Sequence, residues 1–306
     1  MSLSIKDIIT LNQLFGVGSK LLYQVEKQRG ETLLQRLSEC HILIKENGRR
    51  IPIEQRHIAQ AEQQAEWILQ QSKAQNIHLL SYYDDIFPTQ LKEITNEKGE
   101  PDHPFLLYYK GDLSALHYPC IAIVGTRHPS AQGEKASFYL AEQFAKEEMC
   151  IVSGLALGCD TYGHQGALNA GGRTIAFLAH GLDTIFPPEN RKLAQNIIDN
   201  KGLLLSEYPI GTPFSKYNFI SRDRLQAGLS LATVVIQTGT EGGTMHVANA
   251  TLKAGKPLYV CHFRDKATQN AAITQGNQLL VEHGAIYLKG SDDLHVIANT
   301  IKGSRQ

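Results

Sequence analysis

Between Ile121 and Gly166 the chain twice runs a short apolar, β-branched segment into a glycine-containing turn and on into a segment of helical character. The first copy reads Ile121-Ala122-Ile123-Val124-Gly125-Thr126-Arg127-His128-Pro129-Ser130, and the second Cys150-Ile151-Val152-Ser153-Gly154-Leu155-Ala156-Leu157-Gly158-Cys159-Asp160. Buried strands that stop at such a turn and feed a helix are the units of a parallel sheet wound on both faces. Ligands of these sheets gather at the carboxyl ends of the strands, where helix N-termini offer unpaired backbone N–H groups and the positive end of the helix dipole. An anion is therefore the first ligand to expect.

The alternation continues downstream. Thr174-Ile175-Ala176-Phe177-Leu178, Leu203-Leu204-Leu205, Ala232-Thr233-Val234-Val235-Ile236, Leu258-Tyr259-Val260-Cys261 and Ala285-Ile286-Tyr287 read as strands, with helices from about Glu189, from Phe219 to Ala227, and from Gly242-Gly243-Thr244 to Ala254. Upstream, Ile77 to Tyr82 and Phe105 to Tyr109 read as strands added at the sheet edge, and Asp84-Asp85 before Phe87-Pro88 as a turn rather than a metal site. Apolar residues at helical spacing, Ile5, Ile8, Ile9, Leu11 and Leu14, then Ala59, Ala65, Ile68 and Leu69, mark a small helical N-terminal domain over residues 1–75. Within it Phe15-Gly16-Val17-Gly18-Ser19-Lys20 resembles the GxG hairpin of helix-hairpin-helix or SAM-like modules, with an unliganded helix-to-helix turn as the plainer reading. Residues 76–306 form the expected core, a doubly wound, mostly parallel α/β sheet.

Charge narrows the function. Lys+Arg and Asp+Glu are equal at 30 each, so no global field announces a nucleic-acid partner and any such site must be a local patch. The five cysteines form no CxxC pair, and Cys261-His262, His246 and His283 have no ligand spacing, so reduced, mostly buried thiols are expected and neither a metal nor another cofactor. Met1 to Lys6 lacks the regions of a signal peptide and no apolar run has membrane length; the expected compartment is the cytoplasm.

The loops at the strand ends, Gly125 to Ser130, Ser153 to Asp160, His180 to Asn190, Glu207 to Lys216 and Thr238 to Thr244, are rich in Gly, Ser, Thr and Pro. Gly125-Thr126-Arg127 lacks the GxGxxG spacing of dinucleotide folds, and there is no Walker lysine loop. Arg127 instead offers a planar donor fork for a phosphate oxygen. Further on, Lys216, Arg222 and Arg224 alternate with Tyr208, Phe214, Tyr217 and Phe219, with Arg191 and Lys192 before them. Cations interleaved with rings suit a single strand, in which guanidinium groups take phosphates and rings stack on unpaired bases.

From Ser81 onward the chain resembles the DNA-processing protein A family, also called Smf. The likeness rests on Val124-Gly125-Thr126-Arg127, Val152-Ser153-Gly154-Leu155-Ala156 with Gly158 and Asp160, His180-Gly181-Leu182-Asp183 with Phe186-Pro187 and Asn190, and Ser206-Glu207-Tyr208-Pro209. It continues through Phe219 with Arg222 and Arg224, Ala227-Gly228-Leu229-Ser230, Gly276-Asn277 and Gly284-Ala285. The resemblance implies an extended Rossmann-like core that binds single-stranded DNA, protects incoming DNA, loads a RecA-type recombinase during transformation, and forms a homodimer without being an enzyme. Carried over, phosphate contacts fall on Gly125, Thr126, Arg127, Ser153, Gly154, Lys192, Arg222 and Arg224, with Phe186 and Phe219 beside bases.

Two departures qualify the likeness. Asp223 stands where the family usually has asparagine, which repels phosphate unless Arg222 or Arg224 pairs with it. Gly239-Thr240-Glu241-Gly242-Gly243-Thr244-Met245-His246 is more similar to phosphate loops of lysine-decarboxylase-like proteins, which adds Gly243 and Thr244 as phosphate contacts. An alternative function is a sensor or hydrolase of a nucleotide derivative, with Asp160, Glu207, Glu241, His164 and His246 as acid/base candidates. A third is an interaction scaffold with a vestigial pocket.

Overall fold

The computed structural model describes residues 2–14, 19–28, 32–46, 49–290 and 292–303. The chain divides into two compact units, Met1–Tyr108 and Tyr109–Gln306. The expected GxG hairpin of residues 15–18 lies outside the described residues.

The first unit holds helices α1 (Ile5–Gln13), α2 (Ser19–Lys27), α3 (Leu33–Glu39), α4 (Gln55–Ala74) and α5 (Thr89–Lys92), and strands β1 (Leu43–Glu46), β2 (Arg49–Pro52) and β3 (His78–Ser81). Ser4 starts α1 through a reciprocal cap: its hydroxyl accepts from the Asp7 amide at 3.1 Å, and the Asp7 carboxylate accepts from the Ser4 amide at 3.0 Å. Ile8, Ile9 and Leu11 of α1 and Ile58, Ala65 and Ile68 of α4 are buried, as their helical spacing requires. β1 and β2 pair antiparallel, Leu43 opposite Pro52, within a stretch whose pattern predicts helix. Asp84 makes the turn expected of it, accepting the Ser81 amide at 2.7 Å.

Strand β4 (Leu106–Gly111) carries the chain into the second unit. There the order is β5 (Cys120–Val124), α6 (Ala131–Lys146), β6 (Cys150–Ser153), α7 (Cys159–Asn169), β7 (Thr174–Phe177), α8 (Arg191–Asp199), β8 (Leu203–Ser206) and α9 (Lys216–Leu229). It continues with β9 (Ala232–Val235), α10 (Gly243–Lys253), β10 (Leu258–Cys261), α11 (Lys266–Gln269), α12 (Gln275–Glu282), β11 (Ile286–Leu288) and α13 (Asp292–Gly303). Among the described residues, β5 to β11 lie in the order β11-β10-β9-β5-β6-β7-β8, each pair parallel.

Alternate residues of the strands serve the two helical layers, as a two-residue period requires. Ile121, Ile123, Val234, Tyr259 and Cys261 pack with Leu140 and Phe144 of α6 and Ile297 of α13. Val124, Val235, Leu258 and Val260 pack with Ala227 of α9, Val247 of α10 and Leu280 of α12. The fold is thus the expected doubly wound, mostly parallel, Rossmann-like α/β sheet. Helix α9 begins three residues ahead of its expected start at Phe219, because the Ser215 hydroxyl caps it by accepting the Asn218 amide at 3.1 Å. The sequence of strands runs outward from β5 in one direction through β8 and from β9 in the other. That reversal opens a crevice between the carboxyl ends of β5 and β9.

All five cysteines are free, and four are buried. No helix among the described residues is long and apolar enough to cross a membrane.

Candidate functional site

A cleft of about 300 Å³ occupies that switch point, lined by Gly125 to Arg127 after β5, Gly239 and Glu241 to Thr244 ahead of and into α10, and Phe219, Arg222, Asp223 and Gln226 of α9.

The loop after β5 is fixed by its own main chain. The Thr126 amide donates to Gln237 O at 2.7 Å, and Thr126 O accepts from the Cys159 amide at 3.2 Å. Gln237 in turn accepts from the Ser130 amide at 2.9 Å and donates to the Ser130 hydroxyl, which caps α6. Gly125 is obligatory at this crossing: a Cβ there would lie 2.5 Å from Cys159 Sγ. These bonds use the main-chain groups of Thr126 and leave Arg127 as the part of the motif that can reach a ligand. Arg127 is exposed, makes no hydrogen bond or ion pair among the described residues, and sets its guanidinium carbon 5.2 Å from the centre of the Phe219 ring.

Asp160, in the first turn of α7, folds the loop after β6 by accepting the Gly154 and Ala156 amides at 3.1 and 3.2 Å. Burial pushes its carboxyl up, against the pull of the Arg222 charge. Asn190 holds the same loop from outside, donating to Leu155 O at 2.9 Å and to Thr161 Oγ1 at 2.9 Å. On the other side of the cleft Asn277 accepts the Thr238 amide at 3.0 Å and donates to Ile236 O and Cys261 O, which fixes the approach to α10.

The expected phosphate contacts separate here. Arg127, Gly125, Thr126, Gly243 and Thr244 line the cleft, and so does Arg222, but Arg222 is buried and committed. It donates to Phe177 O at 2.7 Å and pairs with Asp223 at 3.3 Å, and it lies where any side chain on Gly154 would have to sit. Arg224 is withdrawn by a bidentate pair with Glu207, at 2.6 and 2.8 Å. Ser153 does not face a ligand: its hydroxyl is fully buried and donates to Ile123 O at 2.7 Å. Gly154 is buried with its amide spent on Asp160. Lys192 is exposed on the first turn of α8 and is not part of the cleft wall.

Rings extend the site outward from Arg127. Phe219 lies 6.4 Å from Phe214 and 6.2 Å from Phe186, and Phe186 stacks on Phe214 at 3.8 Å with 20° between planes. The ledge carrying Phe186 is built by the His180 motif. His180 Nε2 accepts the Phe186 amide at 3.3 Å, which leaves the ring proton on Nδ1, donated to Gly181 O at 2.9 Å. Asp183 accepts the Gly211 amide at 3.0 Å and ties this ledge to the link before α9. Phe214, 49% exposed, joins the two rings named from sequence; its place among alternating cations and aromatics was the signal for it.

Of the acid/base candidates, Glu207 is held by Arg224, and His164 is fully buried with Nδ1 2.6 Å from Thr174 Oγ1. Burial, helped by the Arg222 charge, pushes His164 down to about 3. Asp223 does pair with Arg222, yet burial outweighs that partner and pushes it up to about 7. No group of three or more His, Cys, Asp or Glu among the described residues is arranged to hold a metal ion.

Residues 78–299 match the family described as DNA recombination-mediator protein A. The DNA processing protein DprA of Streptococcus pneumoniae is 35% identical over 214 residues, 70% of this chain and 72% of the relative. Its X-ray structure superposes with a TM-score of 0.79 at 28% identity, covering 97% of this chain and 98% of that one. Protein Smf of Escherichia coli is 32% identical over 219 residues, 72% of this chain but 56% of that protein. The structure of DNA processing protein A from Helicobacter pylori, described for its single-stranded DNA binding mode, gives a TM-score of 0.62 at 29% identity over 74% of this chain and 97% of that one.

Proposed function

The chain belongs to the DNA recombination-mediator protein A family, and from that membership and the site's geometry we propose that it binds single-stranded DNA without catalysis. The observation that carries the proposal is the run from Arg127 over Phe219 to the stacked Phe214 and Phe186. An uncommitted guanidinium beside consecutive rings serves a backbone phosphate and unstacked bases, whereas a duplex keeps its base faces covered. The Helicobacter relative described for its single-stranded DNA binding mode supports the same ligand. In this reading the DNA is passed to a RecA-type recombinase during DNA uptake, the protein acts as a homodimer in the cytoplasm, and residues 1–75 are an appendage to the 76–306 binding core.

The test is a titration of labelled single-stranded and duplex DNA against salt, with the full chain and Arg127→Ala. Single strands are expected to bind more tightly than duplex. Arg127→Ala is expected to flatten the salt dependence of log K by about 0.7, the share of one phosphate on a single strand, and to weaken binding roughly tenfold. Equal affinity for both forms of DNA, or an unchanged slope in the variant, would overturn the proposal. Recombinase transfer is read separately, as faster filament assembly on strands coated with a single-strand-binding protein.

A further inference from the structure

The parallel sheet has a second hollow, at the end opposite the cleft. There the amino ends of its strands meet the carboxyl ends of α6, α7 and α8 around a cavity of about 460 Å³. The three helices close in the same way. Met149, Gly172 and Gly202 donate their amides to Phe144 O, Ala167 O and Ile197 O at 3.0, 2.9 and 2.8 Å, and the residue before each, Glu148, Gly171 or Lys201, is left-handed with φ of 58°, 67° or 59°. Glycine is favoured at such a position, yet two of the three bring a charged side chain to the cavity wall, one of each sign.

Arg173, just ahead of β7, lines the same cavity. Its guanidinium carbon lies 4.7 Å from the centre of the Tyr118 ring, and its Nε is buried without a hydrogen-bond partner. The side chain is thus held by a ring rather than by a carboxylate, although Glu148 and Asp199 line the cavity with it. Among the described residues neither Arg173 nor Lys201 makes a side-chain hydrogen bond or ion pair. The two cations converge: the Asp112 carboxyl is held below the usual carboxylate range first by the Ser114 amide and hydroxyl and then by the charges of Arg173 and Lys201. Of the two acids in the wall, Asp199 accepts from Gln195 Nε2 at 2.8 Å, which leaves the exposed Glu148 as the open carboxylate.

A stacked guanidinium keeps its in-plane N–H groups open, and their complement is an oxyanion taken by two parallel bonds. The surroundings decide which one. Three helix carboxyl ends bring partial negative charge to the cavity, and Glu148 and Asp199 bring full charges. A phosphate dianion is repelled by all of these, so the hollow is not an extension of a DNA backbone path. A singly charged carboxylate is accommodated by Arg173 and Lys201, and an ammonium group on the same molecule makes partners of Glu148 and the helix ends. Ala145 and the buried Met149 add an apolar wall. We propose that this cavity binds an α-amino acid with an apolar side chain, its carboxylate on Arg173 and Lys201 and its ammonium on Glu148 and the carboxyl end of α6.

Calorimetric titration of the full chain with L-leucine, N-acetyl-L-leucine and L-leucinamide separates the two ends of the ligand. L-leucine is expected to bind with a Kd of about 1 mM or below, and loss of either charge to weaken binding about tenfold, the share of one charge-assisted pair. Arg173→Gln and, independently, Glu148→Gln are expected to weaken L-leucine by a similar factor while leaving the affinity for single-stranded DNA unchanged. Glu148 is exposed, so its variant tests the site even where Arg173→Gln perturbs folding. Either analogue binding as tightly as L-leucine, or inorganic phosphate displacing it, would overturn the proposal. So would L-leucine binding that both variants leave intact, which places the ligand elsewhere, and so would the absence of saturable binding. The strand titration above stands or falls independently, because the cavity and the cleft lie at opposite ends of the sheet.

Discussion

The buried carboxyl of Asp223 in the cleft wall leaves a signature in stability. Burial pushes Asp223 from an ordinary 3.8 up to about 7, against the attraction of Arg222. Between those values the native state carries a proton that the unfolded chain lacks, so this group's contribution falls as pH rises, by about 1.4 kcal/mol per pH unit, and levels off above about 7. His164 works in the opposite sense. Its pKa falls from 6.5 to about 3, so over that window the unfolded chain holds the extra proton and stability rises with pH. The two slopes oppose each other from 3.8 to 6.5, and Asp160, whose carboxyl burial also pushes up, adds to the falling one.

Asp223→Asn removes the falling limb alone. Its stability relative to wild type should increase by roughly 2–4 kcal/mol from about pH 4 to pH 7.5, the upper figure being the full shift and the lower allowing for relaxation around a charged cluster. The absolute level of the variant is a separate matter, because Arg222 loses a partner; the difference in slope is the readout. Urea unfolding at several pH values measures it. Parallel profiles for the two proteins would show that Asp223 does not take up a proton in this range, and the account of a desolvated Asp223 would fail.

Two further substitutions separate binding from folding. Phe214→Ala removes a half-exposed ring stacked on Phe186 and should weaken single-strand binding by about 1–3 kcal/mol while leaving Tm nearly unchanged, read by fluorescence titration and calorimetry. Arg224→Ala breaks the bidentate pair with Glu207 and should cost about 1–3 kcal/mol of stability, with a smaller loss of DNA affinity than Arg127→Ala.

The core was legible in the sequence because its strands are buried on both faces. Runs such as Ile121 to Val124 and Ala232 to Val235 carry no alternation to misread and end at glycine or polar turns, so their number and order follow from the chain. The hairpin of β1 and β2 was not legible. Leu-Ile-Lys-Glu and Arg-Arg-Ile-Pro are short and charged, and the one strong signal is the Asn47-Gly48 dipeptide between them in the sequence. The site was legible as a set of loops but not as a set of contacts. Helix α9 buries Arg222, Asp223 and Gln226 along with Leu225 and Leu229, so it has no plain apolar stripe from which to tell which arginine turns inward. The partner of Arg224 is Glu207, 17 positions away, a pairing that only the fold creates.

That distinction changes how the arginines should be interpreted. Arg222 and Gly154 act as one device: the glycine leaves the space in which the guanidinium lies, and the guanidinium spans Phe177 O and Asp223. A cation fixed in this way makes it possible for carboxylates to stand in the cleft wall, because their charge is partly matched before any ligand arrives. It cannot also follow a flexible phosphate backbone without abandoning those partners. Arg127 has no such commitments among the described residues and could follow a bound strand at little cost. In the proposed binding mode, substituting Arg222 would therefore lower DNA affinity through the shape of the cleft, whereas substituting Arg127 would remove a phosphate contact. Only the second loss should carry a change in salt slope, and on that slope the buried arginine and the exposed one can be told apart.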